Sequence, residues 1–237
     1  MPAQILIHRI TEGIETDDRV QAVLDTADKR RLGAGRGSRS GERRCAILGR
    51  ALMRLELGDR LRCDPSELVI ERGHQGKPYI ASPNTRWHFN LAHSGDMVAI
   101  ALSDNAPIGI DVEWRGRRTR ADQLAAHYFG THEQSQLVGL SRDLRRYRFF
   151  QIWTVKESVT KALGESLWRT LSGIEVCGLG GSEPELRLSG AANGASSLAW
   201  WHMDLDNQYS LGVVRLAADS HMPTVLTVAP DGRRIPA

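Results

Sequence analysis

The chain has 237 residues, of which 41% are apolar and 25% charged, and its formal net charge at pH 7 is +3. This apolar content is ordinary for a globular protein and excludes a mostly disordered chain. The longest strongly apolar runs, such as 98–102, are far shorter than the roughly 20 residues of a membrane span, so no transmembrane helix is expected. The N-terminus lacks the basic-then-apolar pattern of a signal peptide, and we therefore expect a cytoplasmic protein without a membrane partner.

Helix-like and strand-like segments follow one another through the first half of the chain. In chain order, the predicted elements are a strand at 4–10, a helix at about 16–30, a flexible Gly-, Ser- and Arg-rich loop at 31–41, a helix at about 40–57 capped by Gly58, strands at 68–71 and in a hairpin around 73–79, and a strand–turn–strand unit at 88–103. The turn of that last unit is expected at 94–96, where Ser, Gly and Asp follow one another.

The second half mixes the same kinds of element. The predicted elements are a strand at 108–114, a helix at about 121–128, a capping-box helix start at Thr131, a long helix at about 141–163 closed by Gly164, and strand-like segments at 174–177, 185–189, 198–204 and 209–216. Strands and helices in this mixture predict the α+β class.

A weak internal repeat joins the two halves. The segments 88–102 and 202–216 begin 114 residues apart, close to half the chain, and both predict a β-hairpin that ends in an apolar strand. Short hairpins also resemble one another by chance, so this pattern alone leaves both explanations open. If the repeat is real, the chain forms two similar α+β halves, and an active site is expected in the cleft between them.

Two carboxylates stand two residues apart in the predicted strand 108–114. Because side chains alternate across a strand, Asp111 and Glu113 share one face, and Ile110 and Val112 face the core. Two neighbouring oxygen ligands suit a hard cation such as Mg²⁺. An acidic pair with one intervening residue is common, however, and by itself it is also explained by an exposed strand.

The long predicted helix carries a third carboxylate. Trp153, Glu157 and Lys161 follow one another at intervals of four, so they project from one side of the helix, away from an apolar stripe. In one interpretation Glu157 is a further metal ligand and Lys161 neutralises a phosphate. In the other, the two form a surface ion pair that stabilises the helix by a few tenths of a kcal/mol.

Two further segments offer cationic or hydrogen-bonding groups. His93 lies where a predicted strand ends in a Ser-Gly turn, and backbone amides of such a turn can meet a phosphate. Lys77 lies in a turn between Gly76 and Pro78. A structural histidine and an ordinary hairpin turn explain these two features equally well.

Basic residues are concentrated in the window 29–54 and again at Arg115, Arg117, Arg118 and Arg120. Such groups attract anions, although each arginine is also explained by a solvated helix face. The window 29–54 contains no aromatic residue, which argues against a nucleic-acid-binding module that stacks on bases. We therefore expect no nucleic-acid partner.

Four segments occur together in an order typical of one family. They are G-K-P at 76–78, F-N-L-A-H-S-G at 89–95, G-I-D-V-E at 109–113, and W-T-V-K-E-S-V-T-K-A-L-G at 153–164. Over about residues 29–176 the chain resembles the Sfp-type 4′-phosphopantetheinyl transferases. The resemblance implies an α+β pseudo-dimer of two similar halves, which we place at 1–105 and 106–237, with the active site in the cleft between them. Related single-half synthases are about half as long and trimeric, so the length favours the Sfp type and a monomer.

The resemblance implies transfer of the 4′-phosphopantetheine arm of coenzyme A to a serine of an apo acyl or peptidyl carrier protein, with release of adenosine 3′,5′-bisphosphate. The implied metal is Mg²⁺, with Mn²⁺ as a possible replacement. The implied carrier presents an acidic helix next to its serine, and basic groups including 115–120 are expected to steer that encounter. Fatty-acid, polyketide and nonribosomal peptide synthesis all use such carriers.

The resemblance also implies residue roles. The metal ligands are Asp111, Glu113 and Glu157; Lys161 contacts the phosphates; Lys156 and Trp153 flank the metal site; Lys77 and His93 hold coenzyme A phosphates and adenosine; and Arg36, Arg39 and Arg44 are the candidates for the 3′-phosphate. Glu157 is the expected base for the carrier serine, with Asp111 second, and Lys161 is the expected catalytic cation.

One departure and one alternative accompany this interpretation. Ala92 stands where the family commonly has Ser, so one hydroxyl donor to a phosphate is absent. The alternative is a Mg²⁺-dependent nuclease that uses the same three carboxylates and a basic DNA-binding arm. The usual nuclease arrangement places a lysine on the acidic strand, whereas here the lysines lie on the helix, which disfavours the nuclease.

Overall fold

In the computed structural model, residues 3–24, 26–33, 40–179, 184–190, 197–217, 221–229 and 233–236 are described. The helices are α1 (Asp18–Val23), α2 (Thr26–Gly33), α3 (Ser40–Leu61), α4 (Ala121–Tyr128), α5 (Thr131–Ser135), α6 (Arg142–Leu163) and α7 (Leu167–Thr170). The strands are β1 (Gln4–Arg9), β2 (Val69–Arg72), β3 (Pro78–Ser82), β4 (His88–Ser94), β5 (Met97–Ser103), β6 (Ile108–Trp114), β7 (Ile174–Cys177), β8 (Glu185–Leu188), β9 (Ala199–Leu205), β10 (Tyr209–Arg215), β11 (Thr224–Val228) and β12 (Arg234–Pro236).

The same order of elements occurs twice. A strand, a 22-residue helix, a short two-stranded hairpin and a longer hairpin follow one another as β1, α3, β2–β3 and β4–β5, and again as β6, α6, β7–β8 and β9–β10. In both sheets the first strand pairs with the last, giving β1-β5-β4 and β6-β10-β9. The predicted α+β fold of two similar halves is confirmed. The predicted alignment of the repeat is displaced, because β9 begins at Ala199 and β10 at Tyr209.

The two halves pack as four layers, with α3 and α6 outside and the two sheets inside. Residues of β1 and β5 on one face, such as Leu6 and Ile100, pack against α3. Their alternate residues, such as Ile7, pack against Ile110 and Val112 of β6. Because side chains alternate on β6, Asp111 and Glu113 lie on the opposite face of the strand, which faces α6. This alternation turns the acidic pair of β6 toward that helix.

The chain after 217 returns to the first half. β11 pairs in parallel with β1, and β12 pairs with β11, so both strands extend the sheet of the N-terminal half. Arg234 Nη2 donates to Glu56 Oε2 of α3 at 2.7 Å. The predicted boundary at 105/106 is therefore wrong for the tail, because backbone pairing places residues 224–236 in the first sheet.

Three predicted helix boundaries differ from the structure. The predicted helix 16–30 is broken at Leu24, whose backbone is extended while its side chain is buried, and Asp17 caps the first part by accepting from the backbone of Arg19 and Val20. α3 continues past Gly58 to Leu61, because Arg62 adopts the left-handed conformation and Cys63 N–H donates to Gly58 O at 3.2 Å. The predicted loop 31–41 is shorter, since α2 ends at Gly33 and α3 starts at Ser40; residues 34–39 lie outside the described residues.

Of the helix starts predicted in the second half, that of α5 is displaced and that of α6 is confirmed. Gly130, not Thr131, precedes α5, and its N–H donates to Glu133 Oε2 at 2.8 Å. The long helix is confirmed, with Ser141 as its N-cap and Gly164 in the left-handed conformation at its end. Among the described residues, no helix combines the length and the apolar composition that crossing a membrane requires.

α6 lies unusually close to its sheet. A Cβ atom on Gly109 of β6 would be 2.1 Å from Ser158 O and 2.4 Å from Ala162 N, and one on Gly212 of β10 would be 2.4 Å from Thr154 O. Only glycine permits such contact between a strand and a helix backbone. α6 is consequently buried on more than the predicted apolar stripe.

We expect Gly109→Ala to destabilise the protein by about 2 kcal/mol or more, because the added methyl group meets helix backbone that has no room to move. The measurement is the free energy of unfolding from denaturant titration. Gly41→Ala is the control, since a Cβ there meets nothing within 4 Å. Equal stability of the two variants would contradict the close-contact explanation.

Candidate active site

The acidic pair of β6 and the acidic residue of α6 meet. Asp111, Glu113 and Glu157 each offer one carboxylate oxygen, and these oxygens lie within 4.8 Å of one another. Asp111 and Glu113 are buried, whereas Glu157 is partly exposed. The close contact at Gly109 explains the convergence, because it holds α6 directly over the acidic face of β6.

Two cations and a hydroxyl hold these carboxylates. Lys161 Nζ lies 2.6 Å from Asp111 Oδ1 and 3.4 Å from Glu157 Oε2. Arg117 Nη1 lies 2.9 Å from Glu113 Oε2. Ser94 Oγ donates to the same Glu113 oxygen at 2.8 Å and accepts from Trp114 N–H at 3.0 Å, so β4 of the first half orients a carboxylate of the second.

Three carboxylates against two cations leave an excess of negative charge in a buried place. Burial raises the pKa of Asp111 well above its ordinary value, and the nearby Glu157 and Glu113 raise it further, against the opposing effect of Lys161. Burial likewise raises the pKa of Glu113. Burial opposes the charge of Lys161, but the Asp111 and Glu157 carboxylates prevail and raise its pKa.

One oxygen of this centre has no partner. Asp111 Oδ2 is buried and makes no hydrogen bond in the structure. A buried, unsatisfied carboxylate oxygen is costly, and it is resolved by a ligand that neutralises charge. Carboxylate oxygens are the donors preferred by hard divalent cations. The residues present therefore fit such a cation.

A large cavity lies on the first half, between α3, β2 and β4. It has a volume of about 710 Å³; Arg50, Arg54 and Arg72 place cationic groups on its wall, and His93 also lines it. Val23, Met53 and Leu91 supply apolar surface. Burial and the nearby Lys161 lower the pKa of His93, so this side chain is a neutral hydrogen-bonding group at pH 7. A cavity with apolar walls and several cations suits a phosphorylated nucleotide.

Lys77 lies between the two halves. Its ammonium donates to the backbone carbonyls of Ile108 at 3.1 Å and Ala162 at 2.9 Å. It thus joins the β2–β3 hairpin to the start of β6 and the end of α6. The ammonium group of Lys77 therefore donates its hydrogen bonds to backbone carbonyls of the second half. Its contact with coenzyme A stays a prediction.

Several predicted residues are not brought to the centre. Lys156 is fully buried and pairs with Glu133 at 2.7 Å and with Ile174 O, on another side of α6. Trp153 is buried in an apolar cluster and stacks on Phe149. Lys156 points away from the carboxylates because successive helix residues point about 100° apart, whereas Trp153 lies one turn before Glu157 and packs into the aromatic cluster. The role predicted for these two residues beside the metal site stays a prediction.

Of the three arginines predicted to bind the 3′-phosphate, one makes other contacts and two lie outside the described residues. Arg44 pairs with Glu15 and donates to Thr11 O, which ties α3 to the preceding loop. Arg36 and Arg39 lie outside the described residues. The cations that do line the cavity from α3 are Arg50 and Arg54, whose spacing of four residues on a predicted helix was the signal available in the sequence. Ala92 is buried between the two sheets.

Ser94 and Arg117 are the functional candidates that sequence reasoning missed. Ser94 reaches Glu113 only through a tertiary contact, across 19 residues of chain, whereas Arg117 follows Glu113 by four residues and reaches it locally, across the turn after β6. The chemistry of an imidazole points to His93 as the functional residue of this segment, not to the hydroxyl that follows it. No sequence pattern predicts that the Ser94 hydroxyl faces β6 of the second half.

The duplicated α+β fold and this centre define a protein that can hold a divalent cation and an anionic group next to a nucleotide-sized cavity. A family model described as the 4′-phosphopantetheinyl transferase superfamily matches residues 107–214. A second, described as the N-terminal part of a 4′-phosphopantetheinyl transferase, matches residues 18–105. The chain belongs to the 4′-phosphopantetheinyl transferase superfamily, which confirms the predicted resemblance.

Curated relatives carry the same description. The 4′-phosphopantetheinyl transferase AcpT of Escherichia coli K12 is 38% identical over 42% of this chain and 51% of its own length. The transferase Sfp of Bacillus subtilis is 32% identical over 55% of this chain and 56% of its own, and the transferase gsp of Aneurinibacillus migulanus is 32% identical over 52% and 49%. The chain thus spans about half the length of the curated relatives it matches. These comparisons do not support the nuclease alternative.

We expect the protonation of Lys77 to make stability depend on pH. Burial lowers its pKa to about 8. Between this value and the unfolded pKa of about 10.4 the unfolded chain binds more protons, so the free energy of unfolding rises with pH. From pH 7 to pH 10 the contribution is about 2 kcal/mol. The check is the unfolding free energy of the wild type minus that of Lys77→Met at both pH values; a difference that stays constant contradicts the assignment.

Proposed function

We propose that this protein transfers the 4′-phosphopantetheine arm of coenzyme A to a serine of an acyl or peptidyl carrier protein and releases adenosine 3′,5′-bisphosphate, with Mg²⁺ as cofactor. The observation that supports this most directly is the convergence of Asp111, Glu113 and Glu157 around Lys161 within the segment that matches the superfamily. Membership of the superfamily supports the reaction class.

The three carboxylates are the residues that would hold the cation. Asp111 would use Oδ2, the oxygen without a partner, and Glu113 is already oriented by Ser94 and Arg117 through its Oε2. Glu157 would complete an all-oxygen set. When bound, Mg²⁺ supplies positive charge for the diphosphate of coenzyme A. Mn²⁺ has the same preference for oxygen ligands, so it is the proposed replacement for Mg²⁺.

The 710 Å³ cavity is the proposed site for the nucleotide part of coenzyme A. Arg54 and Arg72 each use one guanidinium nitrogen to hold backbone carbonyls, which orients the side chain while other N–H donors remain. Guanidinium groups match phosphate oxygens in geometry and charge. His93 lies on the cavity wall, and burial and the charge of Lys161 lower its pKa. His93 is therefore near both the cavity and the carboxylate centre.

The transfer itself is a displacement at phosphorus. The carrier serine oxygen forms a bond to the phosphorus that bears the pantetheine arm, and the bond from that phosphorus to the oxygen of the leaving bisphosphate breaks. Lys161 stabilises negative charge as it develops there. The serine proton passes to Glu157, whose side chain is 15% exposed, against 6% for the second candidate, Asp111.

We further predict that the acceptor presents an acidic helix next to its serine. We also predict that the protein is a monomer and that it lies in the cytoplasm. Glu157 is the partly exposed member of the three carboxylates, so the acceptor serine would approach the centre from its side. The Ala92 methyl group replaces a hydroxyl and is buried between the sheets, so phosphate contacts in this region would come from His93 and backbone amides.

We expect an apo acyl carrier protein incubated with coenzyme A and Mg²⁺ to gain the mass of one phosphopantetheinyl group, measured by mass spectrometry. Glu157→Ala should slow this reaction by about 10²-fold or more, because it removes both a ligand and the base. Glu67→Ala, which removes an exposed carboxylate far from β6 in the sequence, is the control and should react normally. If Glu157→Ala reacts at the wild-type rate, the assignment of this residue fails.

We expect Ser94→Ala to weaken metal binding about tenfold, since it removes the group that orients Glu113. Mn²⁺ binding followed by electron paramagnetic resonance measures this without reference to catalysis. The Mg²⁺ dependence of transfer should shift in parallel. Ser135→Ala, an exposed serine on α5, is the control, and equal Mn²⁺ affinity of the two variants would exclude a role for Ser94 in orienting the site.

A further inference from the structure

Tyr209, at the start of β10, reaches from the second half of the chain to the turn between β4 and β5 in the first half. The residue is 3% exposed and belongs to the apolar cluster between the two sheets. Its hydroxyl donates to Asp96 Oδ1, and Asp96 N–H donates back to the same hydroxyl at 3.4 Å. One tyrosine oxygen therefore holds both the side chain and the backbone of Asp96.

The β4–β5 turn lies close against this hydroxyl. A Cβ atom on Gly95 would be 2.6 Å from Tyr209 Oη and 3.3 Å from Trp114 Cβ, so the turn has no room to move toward the second half. Within the first half, Cys45 Sγ of α3 donates to Gly95 O at 3.2 Å. The turn is therefore held by α3 of its own half and by Tyr209 of the other.

Arg9, at the end of β1, joins this turn to the equivalent turn of the second half. Its Nη1 lies 3.0 Å from Asp96 Oδ1, and its Nη2 pairs with Asp206 between β9 and β10. The side chains of Arg9, Asp96 and Asp206 are 36%, 53% and 63% exposed, so these ion pairs contribute little to holding the turn. The hydroxyl of the buried Tyr209, bonded to a carboxylate, is the stronger restraint.

Ser94 is the residue that this turn presents to the carboxylate centre. It directly precedes Gly95, and its Oγ donates to Glu113 Oε2 at 2.8 Å. Tyr209 lies opposite Trp114 in the pairing of β10 with β6, so its backbone is fixed next to Glu113. The Tyr209 hydroxyl thus sets the distance between the turn that carries Ser94 and the strand that carries Glu113.

We infer that Tyr209 is a positioning residue for the metal site, because it holds the β4–β5 turn where Ser94 can orient Glu113. This inference rests on the proposed function, since it concerns the cation that the three carboxylates would hold. Groups that hydrogen-bond to metal-ligating carboxylates fix the orientation of those ligands. Burial and the hydrogen bond to Asp96 raise the pKa of Tyr209 to about 12, so its hydroxyl keeps its proton near neutral pH.

Mn²⁺ binding, followed by electron paramagnetic resonance without coenzyme A or an acceptor, tests the inference. Tyr209→Phe should weaken binding about fivefold, because the ring still fills the core while the turn loses the group that holds it. Asp96→Ala removes the acceptor of the same hydrogen bond and leaves the buried ring in place. It should weaken Mn²⁺ binding to a similar extent.

The matched control is Tyr147→Phe. Tyr147 Oη donates to Asp204 Oδ2, and Arg115 lies over its ring at 4.8 Å. This variant therefore also removes a hydroxyl from a tyrosine–aspartate–arginine group, but from one built on α6, β9 and the residue after β6. Tyr147→Phe should bind Mn²⁺ as the wild type does. Equal Mn²⁺ affinity of Tyr209→Phe and Tyr147→Phe refutes the inference.

A double-mutant cycle separates positioning from a general loss of stability. If Tyr209 acts through Ser94, adding Tyr209→Phe to Ser94→Ala should weaken Mn²⁺ binding no further. A general destabilisation would act equally in both backgrounds. A further loss in the Ser94→Ala background as large as that in the wild type therefore overturns the inference.

Transfer to an apo acyl carrier protein separates this inference from the proposed function. In Tyr209→Phe the Mg²⁺ concentration for half-maximal rate should rise, whereas kcat at saturating Mg²⁺ should stay within about twofold of the wild type. If Mn²⁺ binding depends on Tyr209 as expected but the wild type transfers nothing, the inference stands and the proposed function fails. If transfer proceeds while Tyr209→Phe binds Mn²⁺ like the wild type, or if the wild type binds no Mn²⁺, the inference fails.

Discussion

The contact between α6 and the sheet β6-β10-β9 is the constraint on which the rest of the structure depends. Two strand glycines, Gly109 and Gly212, let the helix backbone lie against the strands without intervening side chains. At this separation the acidic face of β6 and the polar residues of α6 share one narrow space. The contact that closes the core of the second half therefore also assembles the carboxylate centre, and a change that loosens one loosens the other.

Charged groups on two sides of α6 show different physical solutions to burial. Glu133 accepts from Lys156, from Val176 N–H and from Gly130 N–H, so this buried pair is satisfied within the protein. Asp111, by contrast, keeps one buried oxygen without a partner beside other carboxylates. A satisfied pair stabilises one arrangement of the fold. A buried oxygen without a hydrogen bond is unfavourable, so binding of a cation to it lowers the free energy. The second solution is the one expected where function outweighs stability.

Duplication divided the work between the two halves. The N-terminal half carries the nucleotide-sized cavity with its cations, and the C-terminal half carries the carboxylates and Lys161. Ser94 and Lys77 cross the border, one through a carboxylate and the other through backbone carbonyls. The returning tail, β11 and β12, adds a further connection by pairing with β1. These links fix the relative position of the halves without a large loop between them.

Local pattern was sufficient for the elements that carry the site. Alternation placed Asp111 and Glu113 on one face of β6, and the four-residue interval placed Glu157 and Lys161 on one face of α6, because these periodicities belong to the backbone itself. Capping residues at both ends of α6 located that helix within one residue. The order of motifs was also sufficient for the family, because several spaced segments seldom coincide by chance.

Tertiary structure decided what lies against these faces. Lys156 and Trp153 share a motif with Glu157, yet they turn into other neighbours, and only the packing of α5, β7 and the aromatic cluster shows this. The partner of Ser94 and the return of the tail to β1 likewise join residues distant along the chain. The physical reason is that backbone periodicity acts over a few residues, whereas burial and charge pairing depend on which surfaces meet when the chain has folded.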